Sequence, residues 1–155
     1  MGYEFFLDII PPTRTEQQHR VFVSNGHPVF YRDKRLREAR EKIDTALEPY
    51  KPEEPLDCPV YVKIIWCFPY KKQVRKKDIG KAVPKDTRPD IDNINKNLLD
   101  SLNGRFIKDD AQITRLTIEK CWYKTPGIFI KILPLDREIF SNKVIRAVEG
   151  AEDVQ

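Results

Sequence analysis

The chain has 155 residues, the size of one ordinary domain, and its 40% share of apolar residues is enough for a hydrophobic core. Its 28 basic and 24 acidic residues leave a net charge of only +4, which by itself says little about partners. Three cysteines without a CxxC pair argue against a disulfide framework or a zinc site, and no apolar run reaches the ~20 residues of a membrane helix. We therefore expect a soluble protein of the reducing cytoplasm without membrane association.

The N-terminal part of the chain predicts two strands, a hairpin and a helix. The dipeptide Asn25-Gly26 favours a tight turn between two short apolar runs. Apolar residues at spacings of three and four predict an amphipathic helix that ends before Pro49, and a later run of β-branched and aromatic residues predicts a central strand. In chain order these elements are the strand Tyr3–Ile10, the hairpin Val21–Tyr31, the helix Asp33–Leu47 and the strand Val60–Phe68.

The segment Pro69–Thr87 shows neither helical nor strand periodicity and is strongly basic. Its seven basic and two acidic residues give a local charge of +5, more than the net charge of the chain. We predict a mobile loop whose cations bind phosphate, with a loop that is merely solvated as the alternative. Tyr70, at its start, is expected to pack against the preceding strand rather than to stack on a base. The predicted DNA-binding residues are Lys71, Lys72, Arg75, Lys76 and Lys77, with Arg88 just beyond the loop.

The C-terminal part predicts a second helix and two further strands. Asp92–Asn103 is apolar on one face, and the Asn-Gly sequence at its end supplies a helix stop. Ile113–Tyr123 and Ile128–Leu133 are predicted strands, joined as a hairpin by the turn Lys124–Gly127.

The order of elements predicts one α+β domain over residues 1–133. We expect a mixed β-sheet of about four strands with two main helices. Residues 134–155 are predicted to be a C-terminal extension, with a short helix at Arg137–Val148 and a frayed tail.

The start of the second helix carries acids and a lysine in a pattern that suits a metal site. Asp90 and Asp92 are two residues apart, so in an extended segment both carboxylates would face the same side. Lys96 lies one helical turn beyond Asp92, and Asp100 continues the same face. The pair Asp109-Asp110 follows a tight turn that returns the chain towards the helix.

Two chemical interpretations of these residues remain open from the pattern alone. Carboxylates without a histidine suit a hard cation, and Mg²⁺ takes few protein carboxylates and completes its shell with water and phosphate. Such a metal can activate water for displacement at a phosphate, while Lys96 offsets charge in the transition state. In the structural interpretation Asp92 is the N-cap of the helix and the Asp-Asp pair forms a turn, which leaves Asp90 unexplained.

This region resembles the signature of the RusA family of Holliday-junction resolvases. The matching pieces, in order and spacing, are PDIDN at Pro89–Asn93, then Lys96, then LLDSLNG at Leu98–Gly104, then KDDAQI at Lys108–Ile113. The flanking elements are also similar to those of the family, so that the resemblance covers about residues 3–133. The chain departs from the family pattern at Thr13 and Arg14, in its longer basic loop and in its C-terminal extension.

The resemblance implies a dimeric, magnesium-dependent endodeoxyribonuclease, with Mn²⁺ as a substitute metal, from a bacterium, phage or prophage. It implies branched DNA, especially four-way junctions, as the partner, cut by paired symmetric nicks. A two-fold homodimer would present one site to each of two strands. By position the resemblance implies Asp90, Asp92 and Asp110 as metal-binding and catalytic acids and Lys96 as a catalytic lysine, with at most a supporting role for Asp100 and Asp109. A non-catalytic branched-DNA-binding protein of the same fold is the alternative.

Overall fold

A computed structural model describes residues 1–13, 20–31, 34–71 and 74–136. These residues form a five-stranded mixed sheet, two helices that pack on it, and a separate two-stranded hairpin. The elements are β1 (Tyr3–Leu7), β2 (Arg20–Ser24), β3 (His27–Tyr31), α1 (Lys34–Leu47), β4 (Val60–Pro69), β5 (Val83–Pro84), α2 (Ile91–Leu102), β6 (Ile113–Tyr123) and β7 (Gly127–Pro134). The predicted α+β fold is confirmed, with five strands in the main sheet where about four were expected. No helix in the described ranges is long and apolar enough to span a membrane.

The central strand of the sheet is β4, as predicted for Val60–Phe68. The strand order is β1-β7-β4-β6-β5, and β4 pairs antiparallel with β7 and parallel with β6. The predicted hairpin between β6 and β7 is therefore wrong, because β4 lies between these two consecutive strands. A parallel pair requires a crossover connection, and α2 lies within the connection from β4 to β6.

The core lies between the sheet and the two helices. Alternate side chains of β4 are almost fully buried, namely Val60, Val62, Ile64, Trp66 and Phe68. The same buried cluster contains Ile43 and Leu47 of α1 together with Ile94, Leu98 and Leu102 of α2. The apolar faces predicted for both helices are thus the faces that pack on the sheet, which confirms the two helices.

The β2–β3 hairpin confirms the prediction made from Asn25-Gly26. Both residues have positive φ angles, 52° for Asn25 and 78° for Gly26, as a tight primed turn requires. The first strand is shorter than predicted and ends at Leu7. The predicted helix at 137–148 lies outside the described residues, and the division of the chain at residue 134 stays a prediction.

The segment Pro69–Thr87 has more regular structure than its pattern predicts. Lys76–Asp78 form a 3-10 turn, and Val83–Pro84 pair with β6 as the fifth strand. The Tyr70 hydroxyl lies within hydrogen-bonding distance of the carbonyl oxygens of Asp78 and Lys81, so it ties the start of the segment to its middle. The prediction of a loop without regular structure is wrong for the described part, because backbone pairing and these side-chain contacts order it. The mobility of the segment stays a prediction.

One buried polar contact fixes α2 against the sheet. Trp66 of β4 is fully buried, and its indole Nε1 donates to Asn95 Oδ1 at 2.7 Å. Asn95 is itself 2% exposed and donates its amide to the carbonyl of Ile91 one turn earlier. Both polar groups are therefore satisfied inside the core, and the first turns of α2 are attached to the central strand.

We expect Trp66→Phe to lower the free energy of unfolding by roughly 1–3 kcal/mol, because the buried Asn95 oxygen loses its donor. Urea unfolding followed by circular dichroism measures the loss. The double variant Trp66→Phe/Asn95→Leu removes both polar partners and should recover part of it. Equal stability of Trp66→Phe and the parent would show that this contact does not hold α2.

Candidate active site

The candidate site begins at the N-terminus of α2. Asp90 is the N-cap residue, with an extended backbone (φ −69°, ψ 145°), and its carbonyl accepts from Ile94 N at 3.1 Å. The prediction that Asp92 is the N-cap is wrong, because the helix starts at Ile91 and Asp92 lies in its first turn. The Asp90 side chain makes no capping hydrogen bond, and both aspartates are exposed. The positive end of the helix dipole stabilises two negative charges at this position.

Asp92, Lys96 and Asp100 follow one another at one-turn intervals along α2, as predicted. Asp92 and Lys96 are exposed, on the side of the helix away from its buried residues. Asp100 is only half-buried, and its Oδ2 lies 3.9 Å from Arg40 Nη1 of α1. Asp100 thus has an interhelical contact that accounts for it without catalysis.

The Asp109-Asp110 pair divides into a structural and a free acid. Asp109 caps the 3-10 turn that precedes β6: its Oδ1 accepts from Ala111 N at 2.8 Å, and Gln112 Oε1 accepts from Asp109 N at 2.9 Å. Asp110 is the first residue of that turn and is exposed. The residues Asp109 and Gln112 of the motif are therefore explained by the turn, whereas the Asp110 side chain takes no part in its closure and is exposed.

The described part of the chain does not bring all the candidate acids together. Lys120 Nζ contacts the Pro89 carbonyl, so α2 starts beside the second half of β6, whereas Asp110 precedes Ile113 at the opposite end of that strand. Among the described residues, no three His, Cys, Asp or Glu side chains lie close enough to hold one metal ion. Asp90 and Asp92 alone still fit Mg²⁺, which proteins usually hold through one or two carboxylates, with water and substrate phosphate completing the shell.

Two lysines that the sequence did not single out contact the backbone just before Asp90. Lys85 Nζ donates to Thr87 O (3.1 Å), to Thr87 Oγ1 (2.7 Å) and to the carbonyl of Arg88. Lys120 Nζ donates to Thr87 O (2.8 Å) and Pro89 O (2.7 Å). Lys85 falls within the segment predicted to be a phosphate-binding loop, and a single lysine within a strand gives no local signal, so the pattern singles out neither lysine.

Lys85 is a buried cation between aromatic rings. It is 5% exposed, and its Nζ lies 4.1 Å from the ring centroid of Trp122 and 5.0 Å from that of Phe68. Such cation–π contacts offset part of the cost of burying the charge. Burial, and then the neighbouring charges of Lys120 and Lys71, lower the pKa of Lys85 below its ordinary value.

The predicted DNA-binding residues occupy an exposed surface near the same end of β6. Lys71 is exposed, with its Nζ 5.0 Å from the Trp122 ring centroid, and Lys76, Lys77 and Arg88 are also exposed. Arg75 Nε pairs with Asp78 at 2.6 Å, which occupies part of its guanidinium. Lys72 lies outside the described residues.

The thiols near this end are unsuited to nucleophilic chemistry. Cys67 and Cys121 are register partners on β4 and β6, with their Sγ atoms 3.9 Å apart. Burial, and then the neighbouring Cys121, raise the pKa of Cys67 to about 12, and burial also raises the pKa of Cys121. Both remain protonated thiols near neutral pH.

The chain is similar to a known protein family and to a protein of Bacillus subtilis. The family model described as "Endodeoxyribonuclease RusA" matches residues 10–133, which include α2, the Asp109-Asp110 turn and the main sheet except β1 and the last residue of β7. An uncharacterized protein, YqaN of Bacillus subtilis (strain 168), is 36% identical over 62 residues. That match spans 40% of this chain and 43% of YqaN, so the chain matches less than half the length of this relative.

Proposed function

The chain belongs to the RusA family of endodeoxyribonucleases, and we propose that it resolves four-way DNA junctions by paired, metal-dependent nicks. The observation that carries this proposal is the pair of exposed carboxylates at the start of α2, followed one turn later by Lys96 on the same exposed face. Neither carboxylate has a structural task as a helix cap, which removes the simplest alternative explanation for Asp90.

Asp90, Asp92 and Lys96 each have a role in the proposed reaction, which is hydrolysis of a DNA phosphodiester. Asp90 and Asp92 would hold Mg²⁺ or Mn²⁺, and Asp110 is proposed as the third acid of the site. When bound, the metal supplies an activated water and charge stabilisation at the phosphate. Lys96 would stabilise negative charge on the phosphate, and one of the aspartates would serve as the acceptor for a proton from the attacking water.

Two copies of the chain are needed for this reaction. Resolution requires cuts in two strands of like polarity at matching positions, and one chain offers one site. A closed two-fold dimer would present two sites related by symmetry to a four-way junction of the same symmetry. A homodimer is therefore part of the proposal, and Asp110 would join the other acids through movement of its turn or from the second copy.

We expect Asp90→Asn and Asp92→Asn to abolish magnesium-dependent nicking of a synthetic four-way junction while the fold is retained. Binding to the junction without metal should be unchanged or tighter, because the neutral side chains no longer repel phosphate. Asp100→Asn is the matched control on the same helix and should keep cleavage. Cleavage at the parent rate by Asp92→Asn would remove the metal site, and binding without cleavage by the parent would favour a non-catalytic binding protein.

We expect the triple change of Lys71, Lys76 and Lys77 to Ala to weaken junction binding and to flatten its salt dependence. Each lost phosphate contact should reduce the slope of log affinity against log salt by about 0.9. Fluorescence anisotropy of a labelled junction at several salt concentrations measures the slope. The control makes the same charge change at the exposed residues Lys34, Lys42 and Lys51. Equal slopes for the two triple variants would mean that the basic segment does not contact phosphate specifically.

Mixed dimers of the parent chain and an Asp92→Asn chain test the two-site mechanism. Affinity tags of different kinds on the two chains allow the mixed dimer to be purified. We expect it to nick one strand and leave the junction unresolved, as seen on denaturing gels with each strand labelled in turn. Full resolution by the mixed dimer, or by a monomer, would replace the paired mechanism with that of a simple branched-DNA nickase.

A further inference from the structure

The backbone that leads into Asp90 is held by two ammonium groups. The three successive carbonyl oxygens of Thr87, Arg88 and Pro89 all accept hydrogen bonds from Lys85 or Lys120, and Thr87 O accepts from both. A lysine has three N–H donors, and Lys85 uses all of them on Thr87 and Arg88. This arrangement immobilises the peptide groups that directly precede the first acid of the site.

Asp90 is consequently fixed from both sides along the chain. On one side its preceding carbonyl, that of Pro89, is bound by Lys120 at 2.7 Å. On the other side its own carbonyl accepts the first hydrogen bond of α2, from Ile94 N at 3.1 Å. The Asp90 carboxylate remains exposed and is not used as a cap. The backbone of Asp90 is thus held in place while its carboxylate is accessible to a metal ion.

The position of Lys85 excludes the simplest alternative role for it. With 5% exposure, aromatic rings at 4.1 and 5.0 Å and all three donors used, it cannot reach a DNA phosphate without leaving its site. Lys120 is half-buried and belongs to β6, so its hydrogen bonds to Thr87 and Pro89 attach the start of α2 to the sheet.

We propose that Lys85 and Lys120 are positioning residues that hold Asp90 in the orientation needed to bind the divalent metal. The inference rests on the proposed function, because it assumes that Asp90 and Asp92 hold the metal. It adds a role for two lysines that act through the backbone of Asp90 and not on the phosphate.

The direction in which metal affinity changes when Lys120 is replaced separates positioning from a simple charge effect. Lys120→Met keeps the length of the side chain and removes its charge. If Lys120 acted only through its charge, its loss would strengthen the binding of a cation nearby. If it positions Asp90, its loss would weaken metal binding, and changes of residues that support ligands typically cost 10–100-fold in affinity.

The experiment is a titration of the full chain with Mn²⁺ without DNA, in which electron paramagnetic resonance reports the free metal. We expect Lys120→Met to bind Mn²⁺ roughly tenfold more weakly than the parent, and Lys120→Arg, which can still donate to the carbonyls, to recover part of the loss. Lys131→Met is the matched control, a half-buried strand lysine that pairs with Glu4 at 2.7 Å, and should bind like the parent. Thermal unfolding of each variant confirms that the proteins compared are folded. Lys85→Met is expected to weaken Mn²⁺ binding in the same direction; should it fail to fold, Lys120→Met still decides the question.

Unchanged or tighter binding by Lys120→Met, in a protein where Asp92→Asn binds more weakly, would overturn the positioning role alone. A parent that binds no Mn²⁺, or an Asp92→Asn variant that binds like the parent, would overturn the metal site of the proposed function and the positioning role with it.

Discussion

The parallel pairing of β4 with β6 determines where the candidate residues lie. A chain that leaves the end of one parallel strand must return along a face of the sheet before it can start the next parallel strand. Here α2 is part of that crossover connection. The basic segment and the start of α2 consequently lie at the carboxyl ends of the two parallel strands, where open α/β sheets commonly bind ligands. The parallel pairing of β4 with β6 therefore places the cations of the segment and the first two acids of α2 at the same end of the sheet.

The charges at this end are divided between exposed and buried positions. The carboxylates of Asp90 and Asp92 face solvent beside the positive end of a helix dipole, where a metal ion can reach them. Lys85 lies inside, against Trp122 and Phe68, with its donors used by the backbone. The lysines at this end therefore have two functions. The exposed lysines are accessible to a polyanion, whereas the buried Lys85 holds the backbone that precedes α2.

Local patterns were sufficient for most of the elements, although not for β5, and insufficient for their arrangement. The helical stripes, the Asn25-Gly26 turn and the central position of β4 follow from periodicity and turn chemistry, which depend on neighbouring residues. The order of the strands does not, because the sequence favours pairing β6 with the strand that follows it and β4 comes between them only in the folded sheet.

The same limit applies to the candidate site. The acids could be identified because they are grouped within a short stretch of sequence, although the residue that caps α2 was misassigned by two positions. Lys120 could not be identified, because its contacts are made with residues about thirty positions away and only the fold brings them together.

The turn at Asp109–Gln112 bears on how such a chain is recognised. Two of the letters that make this stretch distinctive are used to close a 3-10 turn, by the carboxylate of Asp109 and the amide of Gln112, and the acid between them has no part in that closure. A descendant that exchanged Asp110 for a neutral residue would keep the turn, the strand register and most of the recognisable pattern. Sequence resemblance in this stretch therefore reports the architecture more faithfully than the chemistry. Under the proposed function, a paralogue inactivated at Asp110 would keep the resemblance here and would be told apart in this stretch only by that side chain.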